Sequence, residues 1–262
     1  MEKFVLWLAV LIFVYDGMTA QEMTGAGKDL FQYNYNTFSK KKPVVVILKD
    51  GKQVEGNITK LRRKGLFIQS VFIKDKKTGK VLELPASKID EMYAYPHGFD
   101  KAMKAYKHAT SLYQIQRKSS KNGLLAKGAV LLRGLKFSRK NKKAPQYYLL
   151  QLVNPGFDRY LEVYGDPAGV ETASLNVGMM TVAGGIKKSY YVRKGDKIYY
   201  VRKKDFKKIY DTLFGDCKEF MKKYPAKKAK WRYFSQYVYE YTLMRSKKEK
   251  GKTEGEENKQ DK

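Results

Sequence analysis

From Lys40 onward the apolar positions come in short runs broken by turn residues: VVVIL at 44–48, QVEGNI at 53–58, GLFIQSVFI at 65–73 and VLEL at 81–84, separated by KDGK and KDKKTGK. Runs of this length, with apolar and polar positions alternating and Gly or Asp in the turns, predict closely spaced hairpins. Pro85 and Pro96 bracket a fifth segment, ASKIDEMYAY, in which Ile89 and Met92 fall on the core side. Five short strands within residues 40–96 hide their edges best by curling into a small barrel. The period then changes. Phe99, Met103, Tyr106, Ala109 and Tyr113 share one helical stripe, so residues 97–123 read as a connecting helix ending in the polar linker RKSSKNG.

A second antiparallel β module is expected over 124–202, with AVLL at 129–132, YYLLQLV at 147–153 and RYLEVY at 159–164. Its clearest element is the hairpin SYYVRKGDKIYYVRK, which holds two copies of YYVRK around Gly195 and Asp196. Residues 203–245 turn helical. Phe206, Ile209, Tyr210, Leu213, Phe214, Cys217, Phe220, Met221 and Tyr224 recur at helical spacing up to Pro225, although Gly215 inside such a helix costs about 1 kcal/mol against Ala. Trp231, Phe234, Val238, Tyr241 and Met244 form a second stripe. Residues 246–262 contain six Lys, five acidic residues and no aromatic, which predicts a disordered charged tail. The fold class is therefore mainly β with C-terminal helices, an α+β chain.

The N-terminal segment adds a compartment. Lys3, an unbroken apolar run from Phe4 to Tyr15, and Thr19–Ala20 ahead of Gln21 follow the layout of a secretory signal peptide over residues 1–20. Twelve apolar residues span about 18 Å as a helix against a hydrocarbon core of about 30 Å, so the run is too short for a lasting membrane anchor. Residues 21–39 read as an N-terminal arm or short helix carrying Phe31, Tyr33, Tyr35 and Phe38. With 43% hydrophobic residues the remainder is globular rather than disordered, and with Cys217 as the one cysteine it cannot form an intrachain disulfide.

Two stretches carry a resemblance. V-x-L-K-D-G-x-x-V-x-G, read from Val46 to Gly56, resembles the first half of the Sm-like barrel signature, and the likeness covers about residues 42–95. It implies that Asp50 and Gly51 turn the chain between the first two strands and that Gly56 permits a strong bend in the second. RNA binding does not follow, because KLRRKGL replaces the third-loop Asp-x-x-Asn and the Ser-Lys of LPASKID replaces an Arg-Gly. Over residues 125–245, YYLLQLVNPGF, VYGDP, ETAS, VAGG, SYYV and LFGDC resemble a group of exported bacterial proteins of unassigned function. That likeness implies compartment and lineage and transfers no functional residue.

Charge narrows the function classes. Lys and Arg number 54 against 26 Asp and Glu, a net +28, which draws polyanions to the surface. In an exported protein these are anionic lipid headgroups, acidic polymers of the envelope or stray nucleic acid. The basic residues concentrate at 40–64 and 187–208, so the candidate anion-binding residues are Arg62, Arg63 and Lys64 together with Arg193, Lys194, Lys197, Arg202 and Lys203. On one face of the 190–203 hairpin the last five would form a positive ribbon flanked by tyrosines. The plain alternative is cross-strand tyrosine packing with lysines reaching into water.

Catalytic chemistry finds little foothold. Cys217 sits in an apolar stripe, where a core role fits it best, and His97 and His108 form no metal-binding spacing, so no metal or cofactor is expected. GAGK at 25–28 fails as a phosphate loop, having Glu22 where the first Gly belongs and Asp29 in place of Ser or Thr. Glu162, Asp166 and Glu171 read as turn and edge residues, although a carboxylate hydrolase needs only two acids brought together by the fold. The leading expectation is an exported, non-enzymatic envelope protein that binds an anionic surface or a protein partner, in the periplasm, at the outer-membrane periphery or outside the cell. A nucleic-acid-binding module and a carboxylate-dependent hydrolase are the alternatives.

Overall fold

The structure, a computed structural model, describes residues 29–97, 123–139, 144–171, 175–177, 180–183 and 187–260. The leader expected at 1–20, the GAGK segment, the stripe from Phe99 to Tyr113 and His108 lie outside the described residues. The chain divides into two compact units, one of residues Leu30–Ile209 and one containing Tyr210–Lys262.

In the first unit the expected strands form as β1 (Val44–Leu48), β2 (Gln53–Lys64), β3 (Phe67–Asp75), β4 (Val81–Pro85) and β5 (Ile89–Ala94). After the short α1 (Gly123–Ala126) come β6 (Val130–Phe137) and β7 (Gln146–Gln151). The order β2-β1-β5-β6-β7-β3, closed by pairing of β2 with β3, makes a six-stranded barrel, and β4 hangs on β3 outside the ring. The five strands of 40–96 thus do not close among themselves. β6 takes the free edge of β5 through Tyr93↔Leu131, and β7 reaches β3 through Ile68↔Leu149. Both added strands are apolar on two faces, as strands covered on both sides must be. Their inner residues Val130, Leu132 and Leu149 join Val44, Val46, Ile73 and Met92 in the barrel interior.

Two glycines allow the ring to close. Gly56 pairs with Val44 on one side and Asp75 on the other, at the point where β2 bends from one neighbour to the next. A Cβ there would lie 2.2 Å from the Lys74 carbonyl oxygen. Gly134 in β6 lies under the turn between β4 and β5, where a Cβ would meet the Ala86 carbonyl oxygen at 2.1 Å and that of Ile89 at 2.3 Å.

Of the module expected at 124–202, β8 (Glu162–Gly165), β11 (Ser189–Lys194) and β12 (Lys197–Arg202) form a separate three-stranded sheet, while β9 (Leu175–Val177) and β10 (Met180–Ala183) pair with each other. The three-stranded sheet packs on the outside of β5, β6 and β7. Tyr93, Leu131, Leu135, Phe137, Tyr148 and Leu150 on the barrel meet Tyr164 and Tyr191, with the Phe137 and Tyr191 ring centroids 4.4 Å apart. The described part of the arm is an extended strap, not a helix. Gln32 donates to the Val153 carbonyl at 2.6 Å, Gln151 brackets Tyr33 and Tyr35 with two 2.8 Å bonds, and Ser39 donates to the Tyr95 carbonyl at 2.8 Å.

Three helices follow β12: α2 (Phe206–Phe214), α3 (Lys218–Lys223) and α4 (Phe234–Gln260). Gly215 ends α2, so the single helix expected up to Tyr224 is two. Cys217 is buried just before α3. Tyr210, Phe214, Phe220, Tyr224, Tyr237 and Tyr241 form a ring-on-ring core, and the Tyr210 hydroxyl donates to the Tyr224 carbonyl at 2.9 Å. The tail expected to be disordered from Ser246 instead continues α4 to Gln260. Where the tail begins, Arg245 reaches Glu249 at 4.0 Å, an i,i+4 pair of the kind that supports a helix already nucleated by the packed turns before it.

Candidate functional site

Successive side chains on a strand point to opposite faces, and the register of the β11–β12 hairpin applies this rule to the expected ribbon. Arg193 lies opposite Ile198, and Lys194 lies opposite Lys197. Arg193 and Arg202 therefore share the face that carries Tyr191 and Tyr200, whereas Lys194 and Lys197 share the other. The hairpin does not bring the five cations to one face. Of its tyrosines, Tyr190 and Tyr191 are buried, Tyr190 against Phe31 of the strap, while Tyr199 and Tyr200 are half-buried.

The arginines are already engaged. Arg193 Nη2 reaches Glu162 at 2.5 Å, and Arg202 pairs with Asp205. On β2, Arg62 pairs with Glu83 at 2.7 Å with its guanidinium over the Phe72 ring. Arg63 turns toward the strap and donates to the carbonyls of Leu66 at 2.9 Å and Asn36 at 2.5 Å, and burial lowers its pKa from the usual value. Lys64 bonds Gln146 Oε1 at 3.2 Å, while Lys197 and Lys203 are exposed. Arg62, Arg63 and Lys64 thus lie on a strand, not on the loop expected of KLRRKGL.

The densest polar arrangement lies at the seam between the barrel and the three-stranded sheet. Arg133, in β6, faces Glu91 across the β5–β6 pair and donates to it at 2.7 Å, and its other Nη reaches Glu162 of β8 at 3.0 Å. Glu162 also accepts from Arg193, its direct cross-strand partner. Each carboxylate takes a phenol too: Tyr93 donates to Glu91 at 2.5 Å, and Tyr164 donates to Glu162. Burial works against the Arg133 charge, but the Tyr164, Glu162 and Glu91 oxygens outweigh it and hold the guanidinium above its usual pKa. Burial, reinforced by Glu162, pushes the Tyr164 phenol up. Burial also raises Asp158 above the ordinary carboxylate range, opposed by the Gly156 N–H at 3.3 Å and the Arg133 charge. No local pattern betrays this network, whose members come from four separate strands and a loop.

The other candidate acids are also occupied. Asp166 is buried and accepts from Ser189 Oγ at 2.7 Å, the Ala168 N–H at 2.9 Å and the Tyr200 hydroxyl at 3.2 Å. Glu171 lies 3.8 Å from Lys187. Among the described residues no three of His, Cys, Asp or Glu are grouped to hold a metal, and no helix is long and apolar enough to cross a membrane.

The lysines behave differently. Lys42, Lys49, Lys60, Lys74, Lys88 and Lys136 are exposed, and none has a carboxylate within 4 Å among the described residues. Several rest on rings: Lys42 lies 4.9 Å from the Tyr95 centroid, Lys49 lies 4.5 Å from that of Tyr147, and Lys60 lies 5.7 Å from that of Phe72. No family model, no curated protein and no solved structure matches this chain.

Proposed function

We propose that this chain is an exported, non-enzymatic protein of the cell envelope whose barrel unit holds an anionic surface through unpaired lysines. One observation carries the reading. Four acids of the first unit, Glu83, Glu91, Glu162 and Asp205, are spent on arginines, while Lys42, Lys49, Lys60, Lys74, Lys88 and Lys136 have no carboxylate within 4 Å among the described residues, which leaves a surface excess made of lysine ammoniums. Ammoniums on flexible stems act as separate point charges rather than the planar fork that selects one carboxylate or phosphate. Such a surface suits a repeating polyanion, with affinity that falls as salt rises. The leader-like pattern of residues 1–20 supports the envelope as the place where this happens.

An Sm-like scaffold also belongs to this proposal. The turn at Asp50–Gly51 and the bend at Gly56 are what that likeness expects of these residues, and the added β6–β7 pair makes the barrel larger than residues 40–96 alone. Envelope fractions incubated with the purified chain at low and high salt test the function. Retention at low salt that high salt reverses is expected, and no retention at any salt overturns the proposal.

A further inference from the structure

We infer that one end of the barrel, around Tyr147, is a phosphate-binding subsite built by Lys49, Lys136 and the Tyr147 hydroxyl. The inference rests on the anionic-surface reading and names a place for it. Lys136 and Tyr147 are direct partners across β6 and β7, so their side chains leave the sheet on the same side. Lys49 follows the last residue of β1, and its ammonium lies 4.5 Å from the Tyr147 ring centroid, that of Lys136 at 6.0 Å. Both distances fall within the reach of a cation–π contact, so two like charges flank one ring.

Two ammoniums gathered this way repel unless an anion lies between or beside them. Within the described residues no carboxylate fills that role. Asp50, next in the chain to Lys49, turns instead to Lys52, with Nζ at 3.1 Å and the Lys52 N–H at 3.1 Å. The Tyr147 hydroxyl has no protein partner among the described residues either, while the ring itself is half-buried against the barrel interior. A half-buried ring, its hydroxyl and two ammoniums without a carboxylate partner among the described residues thus gather at this end of the barrel.

The surrounding backbone is held in place. The Lys49 N–H donates to the Lys88 carbonyl at 2.9 Å, which ties the end of β1 to the β4–β5 turn and brings exposed Lys88 to the same end. That turn rests on Gly134, whose missing side chain leaves room for it. The ligand that fits is a tetrahedral, multiply charged phosphate, which presents oxygens to ammoniums on different strands and still accepts from the phenol. A planar carboxylate carries too little charge for two ammoniums and finds no guanidinium fork here.

The test uses the full chain with inorganic pyrophosphate in solution and, separately, with vesicles containing phosphatidic acid, whose phosphomonoester headgroup carries more than one charge, neutral phosphatidylcholine vesicles being the control. K49Q/K136Q is compared with K74Q/K80Q, which removes the same charge from exposed lysines of the β3–β4 hairpin, and thermal melts confirm that both variants fold. K49Q/K136Q should weaken pyrophosphate about five- to thirtyfold while K74Q/K80Q stays close to the parent, and Y147F should fall between. Loss on vesicles as well as on pyrophosphate assigns the subsite to a lipid headgroup, and loss on pyrophosphate alone assigns it to a soluble phosphate. Equal weakening by both double variants overturns the subsite and leaves the anionic-surface reading standing. Failure of the parent chain to bind either probe at low salt overturns both.

Discussion

Arg133 joins two sheets through two carboxylates, and its removal would leave Glu91 and Glu162 facing each other at a half-buried seam. Arg133→Met is therefore expected to destabilise the fold by about 2–3 kcal/mol, read from urea unfolding, with part of the loss recovered when Glu162→Gln is added. Asp158 acts in the opposite sense. Its raised pKa means that the fold prefers the protonated acid, so ionised Asp158 costs stability at neutral pH and the cost fades as the pH falls through its folded value. Asp158→Asn should raise the melting temperature at pH 7, and the difference should vanish at about pH 3, below the ordinary carboxylate range. The sequence held one clue about the ribbon that was sufficient to split it. Arg193 and Lys194 are neighbours on a strand, and neighbours cannot share a face. Nothing comparable pointed to the Glu91–Arg133–Glu162 contacts, whose partners lie 42 and 29 positions apart.

Strands were the most readable elements, because apolar alternation and Gly- or Asp-bearing turns mark them locally; β1, β4 and the β11–β12 hairpin lie within a residue of their expected bounds. Alternation predicts only the first half of β2, since its basic half, TKLRRK, looks like loop, yet the strand pairs with β3 as far as Lys64. Helical spacing on both sides of Gly215 predicts one helix with a weak point, whereas Gly215 marks the end of a helix, an outcome that depends on how Phe214 and Phe220 pack with the tyrosines of α4. Gly134 shows the same limit from the other side, because only the fold reveals the turn that lies on it. Gly134→Ala should push the β4–β5 turn outward and cost about 1–3 kcal/mol, measured by chemical denaturation. Gly123→Ala, at a position open to solvent, is the matched control and should leave stability nearly unchanged.

At the scale of the whole chain, both units depend on buried phenols. Burial raises Tyr164 in the first and Tyr210 and Tyr241 in the second above their usual pKa. Stability from these groups is fully present below the unfolded tyrosine pKa of about 10 and is lost as the pH climbs from there toward the folded values. Alkaline titration should therefore show tyrosinate absorbance of these residues rising together with the loss of near-UV circular dichroism, not before it. The general class, β-rich with helices at the C-terminus, was legible from periodicity alone. Membership of the barrel was not, because which edges meet is a property of register and of segments distant in the chain, β5 with β6 and β3 with β7. That closure sets a timetable for the growing polypeptide. A truncated product ending at residue 96 would contain β1 to β5 yet leave β5 and part of β3 with unmatched backbone groups, an invitation to intermolecular pairing. With β7 arriving about a hundred residues after β1, the contact order is high, and closure of the barrel must wait until the chain has been synthesised through Gln151.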